Sequence, residues 1–289
     1  MKTLDTLTDD IFQLFDPKED HVVNEDYLKE FTDDIAEVMR TRLREYKRPD
    51  SPLRFSSLGK PDRQVWYEAH PDDSKEELTK ETYMKFLYGD LIEAMLLYLA
   101  KEAGHSVTDQ QREVEIDGVK GHIDAIIDGT VVDVKSASPY GYRKFAAGTV
   151  EQDDPFGYVS QLAGYADILT PGQPAAWLAN DKVSGDTCVT PLSPMVIKHN
   201  TAGPRIEHLK KVIQSEEPPE RCYEDTEDGK SGNRKLQTGC SYCGWKKRCW
   251  PGLRGFAYSN GPRFLTTVVK TPDVREFTIG SPENSEVTN

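Results

Sequence analysis

Fifteen residues, Gly121-His-Ile-Asp-Ala-Ile-Ile-Asp-Gly-Thr-Val-Val-Asp-Val-Lys135, constrain this chain more than any other stretch. Val and Ile enrichment on both sides of Asp128-Gly129 reads as two strands joined by a two-residue turn, since Asp-Gly tolerates the positive φ that such a turn demands. Asp124 then falls on the first strand and Asp133 on the second. Strands paired about that turn bring both carboxylates to one rim of a sheet, where hard oxygen ligands gather Mg²⁺ or Mn²⁺. Lys135 lies two residues beyond Asp133, so strand periodicity sends its ammonium to the same face.

Three further segments carry chemistry. Glu81 to Glu102 places Phe86, Leu87, Leu91, Met95, Tyr98 and Leu99 near helical spacing, which predicts a helix lying against the sheet. Gly89-Asp-Leu-Ile-Glu93 runs within it. A second helix is expected over Tyr158 to Leu169, where i, i+4 spacing puts Gln161 and Tyr165 on one face. Near the end, Cys240, Cys243 and Cys249 have the spacing C-x2-C-x5-C, and Cys222 precedes them. Four thiolates so spaced close a tetrahedral zinc or hold an iron-sulfur cube. Disulfides explain the pattern poorly: five cysteines cannot all pair, and the acidic N-terminus has no apolar run of the secretory kind. Cys188 has no partner spacing and reads as a small buried hydrophobe.

Asp124 followed after a spacer by Asp133-Val134-Lys135 resembles the core motif of the PD-(D/E)XK nuclease superfamily. Gly89 to Glu93 looks like the first motif of its RecB-like branch, and Gln161-x3-Tyr165 matches the Q-x-x-x-Y motif. The terminal cysteines are similar to those of AddB-type and CRISPR-associated exonucleases. The resemblance covers about residues 55 to 250. It implies an α/β fold with a restriction-endonuclease-like core, a mixed central sheet flanked by helices, together with a helical N-terminal region and a C-terminal cysteine-rich metal-binding subdomain. It further implies that Asp124, Asp133 and the Val134 carbonyl hold Mg²⁺ or Mn²⁺, with Glu93 on a second ion directly or through water. Lys135 would orient the attacking water and balance phosphate charge, Gln161 would organise the lysine and metal region, and Tyr165 would contact the DNA backbone. In these relatives the fourth cysteine lies N-terminal to the core, whereas no cysteine here precedes Cys188. Cys222 therefore stands as fourth ligand, and a [4Fe-4S] cluster and a structural Zn²⁺ both remain open. Phe55-Ser-Ser-Leu-Gly59 with Arg63 is similar to a segment that lies near the DNA channel in such nucleases. Its serines are expected to cap a short helix carrying Arg63.

Charge qualifies the picture. The formal net charge of −13 is unusual for a protein that grips nucleic acid, because phosphate contacts need clustered cations. Local basic surfaces are left: Arg40 to Arg54, Tyr142 to Lys144, and Lys246 to Arg254. The last interleaves Trp245, Trp250 and Phe256 with Lys246, Lys247, Arg248 and Arg254, a composition suited to stacking on bases. The same aromatics can equally pack around the cysteines. Gly229-Lys-Ser imitates a phosphate-binding loop, but Glu224 occupies the position five before Gly229 and the spacing fails. The apolar runs are shorter than a bilayer span, giving the expectation of a soluble, cytoplasmic protein, in the host cytoplasm if phage-encoded.

Four regions are expected: an acidic helical stretch over 1–50, the core over 51–215, a cysteine subdomain over 216–256, and an extension over 257–289 ending in a disordered tail. A strand from Gln111 to Ile116 should join the motif hairpin in a three-stranded meander, followed by strands Ala175 to Ala179 and Thr187 to Pro191 and a helix from Arg205 to Gln214. The activity implied is a Mg²⁺- or Mn²⁺-dependent deoxyribonuclease, an exonuclease working on single-stranded or duplex DNA ends in recombination, repair or phage replication. Recombination or replication proteins are the implied partners, with no membrane. A structure-specific endonuclease, a non-catalytic DNA-binding subunit and a zinc-stabilised interaction module are the alternatives. Arg63, Tyr165, Lys246, Lys247 and Arg248 are the expected DNA contacts.

Overall fold

The computed structural model describes residues 2–18, 20–44, 51 and 53–280. The chain divides into two compact units, Met1–Gly59 with Met84–His208, and Lys60–Tyr83 with Leu209–Asn289.

The first unit contains strands β1 (Val107–Thr108), β2 (Glu113–Ile116), β3 (Val119–His122), β4 (Ala125–Ile127), β5 (Thr130–Ala137), β6 (Ala175–Asp181) and β7 (Thr187–Leu192). Five of them form a mixed sheet in the order β1-β4-β5-β6-β7. Within it β5 and β6 run parallel, and their crossover carries the helices Pro139–Ala146 and Tyr158–Leu169. The β4–β5 hairpin turns at Asp128 (φ 48°) and Gly129 (φ 82°), the conformation that an Asp-Gly pair supplies.

Both faces of the sheet are covered, as a parallel strand pair requires. Val132, Val134 and Leu178 share an apolar cluster with Leu96, Leu97 and Ala100 of the long helix Lys80–Glu102. Strand alternation puts Asp133 and Lys135 on the opposite face, where the helix Tyr158–Leu169 presents Tyr158.

The N-terminal stretch is not a separate region. Leu7 and Ile11, one turn apart on the helix Leu7–Gln13, both enter the sheet's core cluster. A polar clasp adds to this contact: buried His105 lies 2.6 Å from Asp128 of the hairpin turn and 3.2 Å from Asp10 of that helix. The expected meander also divides. β2 and β3 form their own two-stranded sheet, and the chain leaves the ladder at Ile123 and Asp124, whose backbone groups pair instead with Arg112 and Gln111. Gln111 itself is not in a strand; it has a φ of 52°.

The second unit holds the sheet β12-β10-β11-β9-β8, built from β8 (Thr226–Glu227), β9 (Arg234–Lys235), β10 (Arg254–Tyr258), β11 (Gly261–Thr267) and β12 (Glu276–Phe277). The extension after residue 257 therefore contributes strands. Of the expected disordered tail, residues 281–289 lie outside the described residues, as does much of the basic stretch from Arg40 to Arg54. Trp66, Tyr67, Val212 and Trp245 form one apolar cluster with Cys243 and Cys249 against it. Leu236, Phe264 and Ile279 form another that includes Cys240 and Trp250. Among the described residues no helix is long and apolar enough to cross a membrane.

Candidate active site

The β4–β5 register pairs Ala125 with Val132. Continued by one residue it sets Asp124 opposite Asp133, and directly opposed residues of an antiparallel pair project to the same face. Because β4 stops at Ala125 while β5 runs on to Ala137, the Val134 N–H has lost its strand partner. It donates instead to Asp124 Oδ2 at 2.6 Å. Lys135 Nζ lies 2.6 Å from Asp133 Oδ2. That oxygen is buried and accepts no aligned hydrogen bond, so the contact is ionic.

Burial pushes the Asp124 carboxyl well above its ordinary range, and the charges of Asp133 and Glu93 push it further. Burial raises Asp133 as well, against the opposing pull of Lys135. For Lys135, burial alone favours the neutral amine, but the carboxylates of Asp133 and Asp124 outweigh it and the ammonium is held charged. Two acids crowded together, one with an orphaned buried oxygen, form a donor set that a divalent cation would relieve. Mg²⁺ commonly takes one or two carboxylates and completes its shell with water.

Glu93 comes from the long helix on the Val132 and Val134 side. One turn earlier, Gly89 stands against β5, where a Cβ would lie 3.5 Å from Ser136 Oγ. Burial raises the Glu93 carboxyl to about 7, with Asp90 and Asp133 adding to the effect and a hydrogen bond from Gln111 opposing it. Among the described residues no three His, Cys, Asp or Glu side chains, the cysteines included, stand as a ready metal-holding group, while Glu93 lies near enough to both aspartates for their charges to interact.

Gln111, which the sequence did not single out, touches two of the candidate site residues. Its side chain donates to Glu93 Oε1 at 2.6 Å and its backbone N–H donates to the Asp124 carbonyl at 3.2 Å. Gln111 is held at a φ of 52°, and its two bonds tie Glu93 and the Asp124 backbone to one turn. A glutamine in a polar turn carries no spacing signal by which it could have been found.

Gln161 and Tyr165 do share a helix face. Tyr165, however, is only 3% exposed. Its ring stacks on Phe55 at 4.7 Å, and a Cβ on Gly121 would come within 2.5 Å of its hydroxyl. In this structure its ring packs β3 against the helix. The serines near it also act differently from expectation. Ser57 accepts the Arg54 N–H, while the helix Asp62–Ala69 that carries Arg63 starts at Pro61 with no side-chain cap.

In the second unit, Cys222, Cys240, Cys243 and Cys249 all line one cavity of about 20 Å³. Burial raises the Cys240 thiol to about 12 and the Cys243 thiol to about 11, and neighbouring sulfurs add to both shifts. The basic segment beside them is mostly engaged internally. Lys246 is 5% exposed and paired with Glu76, which removes it from the surface cations. Arg248 lies over the rings of Tyr67 and Trp66 and donates to the His70 carbonyl. Arg63 donates to the Tyr67 hydroxyl and the Pro219 carbonyl. Trp245 is buried and Trp250 carries Arg221 on its face at 4.1 Å, so the aromatics here pack around the cysteines. Lys247 alone of the expected cations is exposed.

The family model of the PD-(D/E)XK nuclease superfamily matches residues 2–250. Among solved structures, one described as "Crystal structure of SSO0001" is 16% identical with a TM-score of 0.38, covering 77% of this chain and 96% of that one. No curated protein matches.

Proposed function

This chain belongs to the PD-(D/E)XK nuclease superfamily, and from that premise we propose that it is a Mg²⁺- or Mn²⁺-dependent deoxyribonuclease of the RecB-like kind that trims DNA ends. The observation that carries the reading is the side-by-side placement of Asp124, Asp133 and a charged Lys135 at the open end of one hairpin.

Asp124, Asp133 and the Val134 carbonyl would hold the cation, with Glu93 serving a second one directly or through water. A cation held there supplies positive charge opposite the scissile phosphate. Lys135 is held protonated, which makes it unsuited to take a proton from water. It therefore orients the incoming water and stabilises charge developing on the phosphate. Water's oxygen bonds to phosphorus while its proton passes to solvent, one ester P–O bond breaks, and the departing oxygen takes a proton from solvent in turn. Gln161, one turn before Tyr165 on the helix that packs against β5, would help organise the lysine and metal region.

The four-cysteine cavity supports a second component of the reading, a [4Fe-4S] cluster held by Cys222, Cys240, Cys243 and Cys249, with structural Zn²⁺ as the other occupant of such a thiol set. Work on DNA ends in recombination, repair or phage replication, in the cytoplasm and alongside the proteins of those processes, is the setting this chemistry fits.

Cleavage of linear, end-blocked and circular DNA in Mg²⁺ or Mn²⁺ tests the activity. Linear DNA degraded while blocked and circular DNA survive is the exonuclease result, and nicking of circles makes it an endonuclease. Cleavage by Asp133→Ala at the wild-type rate removes the site assignment. Iron, acid-labile sulfide and zinc measured on anaerobically purified protein decide the thiol occupant.

A further inference from the structure

We propose that Tyr158 is a positioning residue for hydrolysis, its ring fixing the Lys135 ammonium against the buried aspartates. The inference rests on the nuclease reading above and adds a residue to it. Lys135 reaches the site on a four-carbon stem with several rotatable bonds, and its ionic contact is Asp133, 2.6 Å away. A single ionic contact sets a distance but leaves the ammonium free to swing around it. The second constraint is the face of Tyr158, whose centroid lies 4.9 Å from Nζ, within cation–π range.

The ring is itself held in place. Tyr158 opens the helix Tyr158–Leu169, and its N–H donates to Asp154 Oδ1 at 3.0 Å while the Val159 N–H donates to Oδ2 at 2.9 Å. The preceding Gly157 has a φ of 78° and presses on Gly59, where a Cβ would meet backbone at 2.4 Å, so the helix start cannot shift toward that side. Phe145 and Phe156 lie 6.1 and 5.6 Å from the ring. Tyr158, Gln161 and Tyr165 follow i, i+3, i+7 spacing, which places the first on the same helix face as the pair.

An aromatic face suits this position for a chemical reason. It attracts the cation without offering an oxygen, so the ammonium keeps its ionic contact with Asp133 and its N–H donors stay available to whatever enters beside it. A carboxylate in its place would draw Lys135 away from the aspartates, and an aliphatic side chain would leave the ammonium held on one side only.

The test compares Tyr158→Phe with Tyr158→Leu, and with Tyr158→Met as a second variant should the leucine chain fail to fold. Steady-state cleavage of linear DNA in Mn²⁺ is read alongside the NMR shift of the Lys135 ε-methylene in protein labelled at lysine. Tyr158→Phe keeps kcat within about two-fold and keeps the ring-current shift. Loss of the ring lowers kcat about ten-fold with KM unchanged, and the ε-methylene signal moves to the position of an ordinary lysine. A folded Leu or Met variant with wild-type kcat, or with an unmoved Lys135 signal, overturns the proposal. Wild-type protein that cleaves no DNA overturns the nuclease reading first, which separates the two failures.

Discussion

Asp124 Oδ2 accepts the backbone N–H of Val134 at 2.6 Å, so one carboxylate both pairs β5 backbone beyond the end of β4 and is a ligand in the proposed cation site. The two duties separate by substitution. Asp124→Asn keeps an acceptor oxygen for Val134 and removes one of two crowded charges, so cleavage is lost while the metal-free protein melts at the same temperature or higher. Asp124→Ala leaves the N–H unpaired and costs about 1–3 kcal/mol. Melting curves of both variants in EDTA check the contrast, and equal losses in the two would show that the hydrogen bond carries no stability.

Asp133 differs because it is the counterion of Lys135. Asp133→Asn takes the anion away from a buried ammonium, a loss of about 3 kcal/mol. Asp133→Asn combined with Lys135→Met removes both charges and recovers most of that stability without recovering activity. Urea unfolding of the single and double variants measures the coupling.

The hairpin and its acids are legible in the sequence because they depend on local rules: a two-residue Asp-Gly turn, strand alternation, and opposed residues sharing a face. The same holds for the helices carrying Glu93 and Gln161, where apolar residues keep helical spacing over several turns without an interrupting proline. What escapes a sequence reading depends on contacts distant along the chain. Burial of Tyr165 under Phe55 joins residues more than a hundred positions apart, and Lys246 is withdrawn from the surface by Glu76, a partner from the other segment of its unit. Gln111 reads as a strand residue since its neighbours favour extended backbone, yet its bonds to Glu93 and to the Asp124 carbonyl hold it at positive φ.

Acidity of the site carries a pH signature. Burial, joined by Asp90 and Asp133, raises Glu93 to about 7, and Asp124 and Asp133 are raised as well. A folded carboxyl that holds its proton more tightly than the unfolded chain contributes stability that is fully present below the unfolded pKa and is lost as pH rises through the folded value. For Glu93 that window runs from about 4.5 to about 7. Metal-free protein therefore melts lower at pH 8 than at pH 5 through this group, and Mn²⁺ restores more at pH 8, where it no longer competes with the proton. Calorimetry across this range with and without Mn²⁺ reads both effects, and a Mn²⁺ affinity that is flat with pH would contradict them.

Gln111 offers the sharpest separation of stability from function. Its φ of 52° costs a non-glycine residue about 1 kcal/mol, which Gln111→Gly relieves. The same change removes the donor that holds Glu93 Oε1 at 2.6 Å and lets that carboxylate wander from the site. The glycine variant should melt at or above the wild-type temperature while its cleavage rate falls several-fold, and Gln111→Ala, which keeps the strain and loses the donor, should fall in both. Glu93→Gln serves as the comparison for rate. A glycine variant that cleaves at the wild-type rate would show that Gln111 holds the loop alone and has no hold on Glu93's part in the reaction.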